Sequence, residues 1–82
     1  MKILEDISLA TQKGKAKDVK MLVTEALEMG ISAQDILDKG LLDGMGKLGV
    51  RFKNNEVYVP EVLIAARALN NGTEILRSKL VE

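Results

Sequence analysis

Residues 40–52, GLLDGMGKLGVRF, combine a helical pattern of apolar side chains with four glycines. Apolar residues recur at Leu41, Met45, Leu48 and Phe52, a spacing that fits one face of a helix and that a β-strand cannot use. Each glycine inside a helix costs about 1 kcal/mol relative to alanine. Because this cost is large for a small domain, the glycines need an explanation beyond secondary structure.

Two compatible explanations account for the glycines. Gly40 and Gly44 lie four residues apart on nearly the same face, and they predict a close crossing in which the missing Cβ lets two helix backbones approach. Gly46 and Gly49 fit this explanation less well. They indicate that this end of the helix lies against something broad and flat.

The rest of the chain also has helical periodicity, interrupted by short breaks. Ser32 is a good N-cap for the third helix, and Gly14 and Gly30 stand where the first two helices end. The predicted helices cover residues 2–13, 16–29, about 33–52 and about 60–79. The predicted inward face of the fourth helix comprises Val62, Ala66, Leu69, Thr73, Leu76 and Leu80. Residues 57–59 are expected to form an extended loop.

Four amphipathic helices with short connections predict an all-α fold, an antiparallel four-helix bundle built from helical hairpins. Two hairpins packed at a steeper angle are the alternative.

A chain of 82 residues allows one domain. Its 12 basic and 12 acidic residues cancel, so nothing points to nucleic acid, and no apolar run approaches the length of a membrane span. Without a signal-like N-terminus, the expected location is cytoplasmic.

Residues 41–69, LLDGMGKLGVRFKNNEVYVPEVLIAARAL, resemble the helical cap domain of cobalamin-binding corrinoid proteins. These are the corrinoid proteins of methylamine and methanol methyltransferase systems, and the related module of cobalamin-dependent methionine synthase. The shared pattern has fixed spacing, and it is present here as Asp43-Gly44-Met45, Gly49, Phe52 and Val59-Pro60. The flanking helices fit the four-helix arrangement of that family across residues 1–82.

The resemblance implies where the cofactor lies. In the family, the Phe and the residue before the Pro cover the upper face of the corrin ring, and these positions are Phe52 and Val59 here. The candidate cofactor-binding residues are Phe52, Val59, Tyr58, Met45 and Gly49, with no catalytic residue and no metal ligand. Judged without the resemblance, Phe52 and Met45 also suit the core. Tyr58 suits either a hydrogen bond to the amide side chains of the corrin or a half-buried packing position.

The resemblance also implies a missing part. Family members continue into a Rossmann-like domain whose Asp-x-His-x-x-Gly motif ligates cobalt, whereas this chain has no His and stops at residue 82. The chain is therefore expected to be the cap alone, and to meet cobalamin only together with that domain. The expected partners are the C-terminal cobalamin domain and corrinoid methyltransferase subunits. The isolated cap is also a candidate for homodimerisation.

The implied function is a module that covers the upper face of cobalamin and shields the methyl–cobalt centre during methyl transfer. The alternative is a small helical protein–protein interaction or dimerisation domain with no cofactor. An enzyme is poorly supported, because the chain has no Cys, no His and no phosphate-binding loop. A reading frame beyond Glu82 that encodes the cobalt-ligating motif would favour the cap, and a stop codon would favour the alternative.

Overall fold

The computed structural model describes residues 1–80, and within this range the chain forms four helices and no strand. The first, second and fourth are regular α-helices: α1 is Lys2–Gln12, α2 is Ala16–Glu28 and α4 is Val59–Leu80. Helix α3 covers residues 33–53 and has three parts, the α-helical turn Ala33–Asp35, the π-helical segment Ile36–Leu41 and the α-helical segment Leu42–Lys53. The prediction of an all-α, four-helix fold is confirmed.

Local capping fixes where the helices begin and end. Gly14 and Gly30 have φ values of +69° and +86°, which glycine adopts without strain. They close α1 and α2 by letting the chain turn back under the last carbonyls of each helix. At the start of α3, the backbone N–H of Asp35 donates to the Ser32 hydroxyl at 3.1 Å, so the predicted N-cap is confirmed.

Helix α3 crosses α1 where its glycines lie. A Cβ added to Gly44 would stand 2.6 Å from the backbone oxygen of Ser8, and a Cβ on Gly40 would stand 2.9 Å from the Cγ2 atom of Ile7. Both distances are shorter than real Cβ atoms tolerate, and at Gly44 the obstacle is backbone. The predicted close crossing at Gly40 and Gly44 is therefore confirmed, and its partner is α1.

The π-helical segment changes which residues of α3 enter the core. Ile36 and Leu41 are both fully buried, although they lie five residues apart, whereas Leu37 is only half-buried. A π-helix repeats its hydrogen bonds at i→i+5, so residues five apart share a face. A regular α-helix would pair Leu41 with Leu37, four residues before it, and periodicity alone misses this adjustment.

The inward face of α4 differs from the predicted one. Its fully buried positions are Ala65, Ala68, Gly72 and Leu76, whereas most of the larger residues predicted to face inward are only half-buried. A Cβ on Gly72 would lie 2.8 Å from side-chain atoms of both Leu41 and Val19. Small residues therefore line the centre of this face because α2 and α3 pack closely against it.

The buried side chains form two clusters. The larger one joins all four helices, and its fully buried members include Ile7, Val19, Val23 and Leu76. The smaller cluster contains Leu48, Val57 and Ala65, with Met45 and Val62 packed against it. The smaller cluster supports the connection between α3 and α4.

Candidate functional site

The connection between α3 and α4 is a defined turn. Asn55 adopts a left-handed φ of +62°, and its backbone N–H donates to the Phe52 carbonyl at 3.0 Å. The backbone N–H of Glu56 donates to the Arg51 carbonyl at 2.8 Å. These two bonds form a Schellman-type cap on α3. The turn therefore fixes Phe52, in the last turn of α3, relative to Val59, the first residue of α4.

One buried side chain holds this turn against the bundle. Val57 is 5% exposed and packs with Leu48 and Ala65. Met45 is half-buried and packs against the same cluster. Met45 therefore supports the turn from beneath, whereas the other candidate residues are exposed at the surface.

Four large side chains with substantial exposure lie around the turn, and with Gly49 they make up what we call the junction surface. Their exposed fractions are 42% for Phe52, 74% for Tyr58, 55% for Val59 and 64% for Leu63. Phe52 is therefore not a core residue, and Tyr58 is not half-buried. Exposed apolar side chains close to one turn are typical of a contact surface for a ligand or another protein.

Gly49 belongs to the exposed side of α3. A Cβ added at Gly49, or at Gly46, would meet no atom within 4 Å. Nothing in residues 1–80 therefore explains sterically why these two helical positions are glycine. Their contact with a broad, flat object outside the chain stays a prediction.

Two residues of the candidate site were not among those predicted from the sequence. Leu63 lies four residues after Val59, a spacing that places both on one side of α4, and this spacing was the available signal. Val57 anchors the turn, but a single apolar residue in a polar loop gives no comparable signal.

The junction surface offers mainly apolar contact area, with a few polar groups beside it. Tyr58 is largely exposed and carries a hydroxyl group, and Arg51 pairs with Glu56 at 3.9 Å. Among the described residues, no three His, Cys, Asp or Glu side chains are grouped to hold a metal ion. Across the same range, no helix combines the length and apolar character needed to cross a membrane.

The Asp43-Gly44-Met45 motif has a structural role at the crossing of α3 and α1. The buried Ser8 hydroxyl donates to Asp43 Oδ2 at 2.8 Å, and Lys47 Nζ lies 3.1 Å from the same oxygen. The Gln12 amide donates to Ser8 Oγ at 3.3 Å. The i,i+4 pair between Asp43 and Lys47 follows from the sequence, but the bond from Ser8, 35 residues away, does not.

The Asp43 network makes stability depend on acid pH. The Ser8 hydroxyl and then the Lys47 ammonium lower the pKa of Asp43 below its usual 3.8. Because the folded-state pKa is the lower one, this contribution is complete at about pH 5 and above, begins to fall as pH passes the usual value of 3.8, and is lost below the folded-state pKa. We expect Asp43→Asn to reduce the loss of unfolding free energy between pH 5 and about pH 2.5. The effect is expected to be a few tenths of a kcal/mol, because the carboxylate is partly exposed to solvent.

Urea unfolding of wild type and Asp43→Asn across this pH range measures the effect, and Asp38→Asn is the control. Asp38 is an exposed carboxylate of the same helix whose hydrogen-bond partner, Gln34, is neutral and exposed. Equal acid dependence in wild type and Asp43→Asn would show that the network adds nothing to the pH response.

The chain is similar to known proteins over nearly its whole length. The sequence model described as "B12 binding domain" matches residues 3–77. Monomethylamine corrinoid protein 2 of Methanosarcina barkeri is 39% identical over 59 residues, which are 72% of this chain and 27% of that protein. The dimethylamine corrinoid protein of the same organism is 33% identical over 66 residues, covering 80% of this chain and 31% of that protein.

A solved structure shows the same fold. The Methanosarcina barkeri monomethylamine corrinoid protein superposes with a TM-score of 0.94 and 30% sequence identity. The superposition covers 96% of this chain and 37% of that one. The chain therefore spans about a quarter to a third of the length of the curated relatives described above.

Proposed function

The chain belongs to the B12 binding domain family, and on that basis we propose that it is the helical cap that covers the upper face of cobalamin in a corrinoid protein. The observation that carries this proposal is the junction surface. Phe52 and Val59 stand exposed on either side of a fixed turn, with Tyr58 and Leu63 beside them. The dimerisation module without a cofactor is not favoured, because the family is one of B12-binding domains.

The residues of the junction surface suit such a cover. A corrin ring is a broad apolar plate, and bound cobalamin would supply the methyl–cobalt bond that carries the transferred group. Phe52, Val59 and Leu63 would lie against the plate and exclude water and oxidants, while the bare backbone of Gly49 permits close approach. The role is one of protection and not of catalysis. We also propose that this chain acts together with a cobalt-ligating domain of the same protein and with a corrinoid methyltransferase.

We expect the isolated chain not to bind cobalamin at micromolar concentration. Two apolar side chains on the ring contribute roughly 3–6 kcal/mol when fully desolvated. Association costs an estimated 4–15 kcal/mol in lost translational and rotational freedom, so the net free energy of binding is close to zero or unfavourable. Equilibrium dialysis with methylcobalamin measures this. A Kd of about 10 μM or tighter would mean that the chain holds the cofactor by contacts that the junction surface does not provide.

The proposal is tested in a chimera. This chain replaces the matching segment of the Methanosarcina barkeri monomethylamine corrinoid protein, and the chimera is loaded with methylcobalamin. We expect slower photolysis of methylcobalamin in the chimera than in the same protein with that segment deleted, because tethering makes the contacts intramolecular. Equal photolysis rates, with the chimera folded and cobalamin bound, would refute the cap function.

A further inference from the structure

A second surface, on the α2 side of α4, is strongly basic. A groove of about 380 Å³ lies there, lined by Lys17, Lys20 and Arg67 together with Gly14, Ile64 and Asn71, and no acidic residue lines it. We call it the basic groove. Ile64 is 53% exposed, so an apolar side chain stands among the three cations.

The positive charge of this groove is local. The chain has a net charge of zero, but residues 13–20, KGKAKDVK, contain four Lys and a single Asp. Five of the cations elsewhere have a carboxylate within 4.0 Å, namely Lys2, Lys39, Lys47, Arg51 and Arg77. Within residues 1–80, none of the three groove cations has such a partner. The groove therefore presents positive charge that the described residues do not neutralise.

We propose that the basic groove docks a protein segment that presents several carboxylates beside an aliphatic side chain. Charge complementarity selects the carboxylates, and exposed Ile64 supplies the apolar contact that a protein interface places inside a polar rim. The neighbouring grooves are of mixed charge, because carboxylates line them beside cations: Asp6 and Asp18 with Lys13 and Lys15 in one, and Glu61 with Lys13 and Arg51 in the other. The stretch lined by cations alone is therefore short, which suits a short acidic segment better than an extended polyanion such as nucleic acid or an anionic bilayer. The proposal does not depend on the cap function, because it uses none of the residues of the junction surface.

The test titrates the ¹⁵N-labelled chain with the acetylated, amidated peptide Glu-Glu-Leu-Glu-Glu and follows backbone amide shifts by NMR. We expect the largest shifts at Lys17, Ile64 and Arg67, and a Kd that rises severalfold between about 25 and 200 mM salt. The matched peptide Gln-Gln-Leu-Gln-Gln is expected to bind at least about tenfold more weakly, because it keeps the apolar residue and loses the charges.

Charge reversal then separates the groove from general electrostatics. We expect the double variant Lys17→Glu/Arg67→Glu to bind the acidic peptide at least about tenfold more weakly. The control Lys53→Glu/Lys79→Glu, at two exposed lysines outside the groove, changes net charge equally and is expected to retain most of the affinity. Thermal melts followed by circular dichroism verify that each variant is folded.

Three results would overturn the proposal. In the first, the shifts fall outside the groove. In the second, the control double variant weakens binding as much as the groove variant does. In the third, pyrophosphate or phosphatidylserine vesicles bind the chain more tightly than the acidic peptide at the same salt concentration, which would make the groove a site for phosphate or lipid.

Discussion

Replacing Gly44 with Ala is expected to lower the free energy of unfolding by about 2 kcal/mol, although Ala is the better helix former. The added Cβ would stand 2.6 Å from the Ser8 carbonyl oxygen and 3.0 Å from the Thr11 Cβ. Because the nearest obstacle is backbone, α1 has to move away from α3. Overpacking of this kind costs about 3 kcal/mol at the upper end of its usual range, and the gain in helix propensity returns about 1 kcal/mol.

Gly46→Ala is the matched control in the same helix. Gly46 is exposed, and a Cβ there would meet no atom within 4 Å. Only the propensity term applies, so this variant is expected to gain up to about 1 kcal/mol. For a domain of this size, thermal melts should show Gly44→Ala about 10 °C below wild type and Gly46→Ala a few degrees above it. A higher melting temperature for Gly44→Ala would contradict the close crossing.

The sequence predicts those parts of the fold that depend on neighbouring residues. Ser32 caps α3, Gly14 and Gly30 end α1 and α2, and the Gly40/Gly44 pair marks a helix crossing, all from local chemistry. The partner in that crossing cannot be read from local chemistry. That α1 supplies it, through Ser8 and Ile7, depends on tertiary packing between segments more than 30 residues apart.

The misjudged features of the fold share a physical cause, which is close packing around small residues and an irregular turn. Large apolar side chains dominate a periodicity pattern, yet at the centre of α4 the buried positions are Ala65, Ala68 and Gly72. The π-helical segment moves Ile36 into the core by changing the period for one turn. The choice of buried face on α4 and the π-helical turn in α3 both depend on tertiary packing. Neither leaves a clear signal in the amino-acid sequence.

At the candidate site, a sequence motif predicted the exposure of a residue that periodicity misjudged. Periodicity alone placed Phe52 in the core, whereas the motif resemblance placed it on the surface, and the structure shows it 42% exposed. The motif thus carried information that periodicity did not, and the proposed cap function accounts for the difference, since an apolar residue that serves a contact outside the chain need not pack within it. Leu63 falls outside the motif, and only the geometry of α4 brings it beside Val59.

In the methylcobalamin-loaded chimera, Phe52→Ala is expected to leave cobalamin bound and to speed photolysis by up to about tenfold. Losing the contact of one Phe side chain with the ring removes about 1.5 kcal/mol from the closed state of the cap, which corresponds to a factor of about ten in the ratio of closed to open forms. The free energy of unfolding of the chain should fall by only about 1 kcal/mol, well below the 3–5 kcal/mol typical of truncating a buried Phe. Phe52 is 42% exposed, so truncation opens little or no cavity.

Met21→Ala is the matched control, because it also truncates a large exposed apolar side chain. Met21 is 63% exposed and lies on α2, and it is not part of the junction surface. We expect it to leave the photolysis rate at the wild-type value.

Two quantities are measured for each variant, the photolysis rate in the chimera and the unfolding free energy of the chain. Unchanged photolysis in Phe52→Ala with a large loss of stability would make Phe52 a structural residue. Faster photolysis in both variants would mean that the effect comes from general loosening of the bundle and not from a contact with the cofactor.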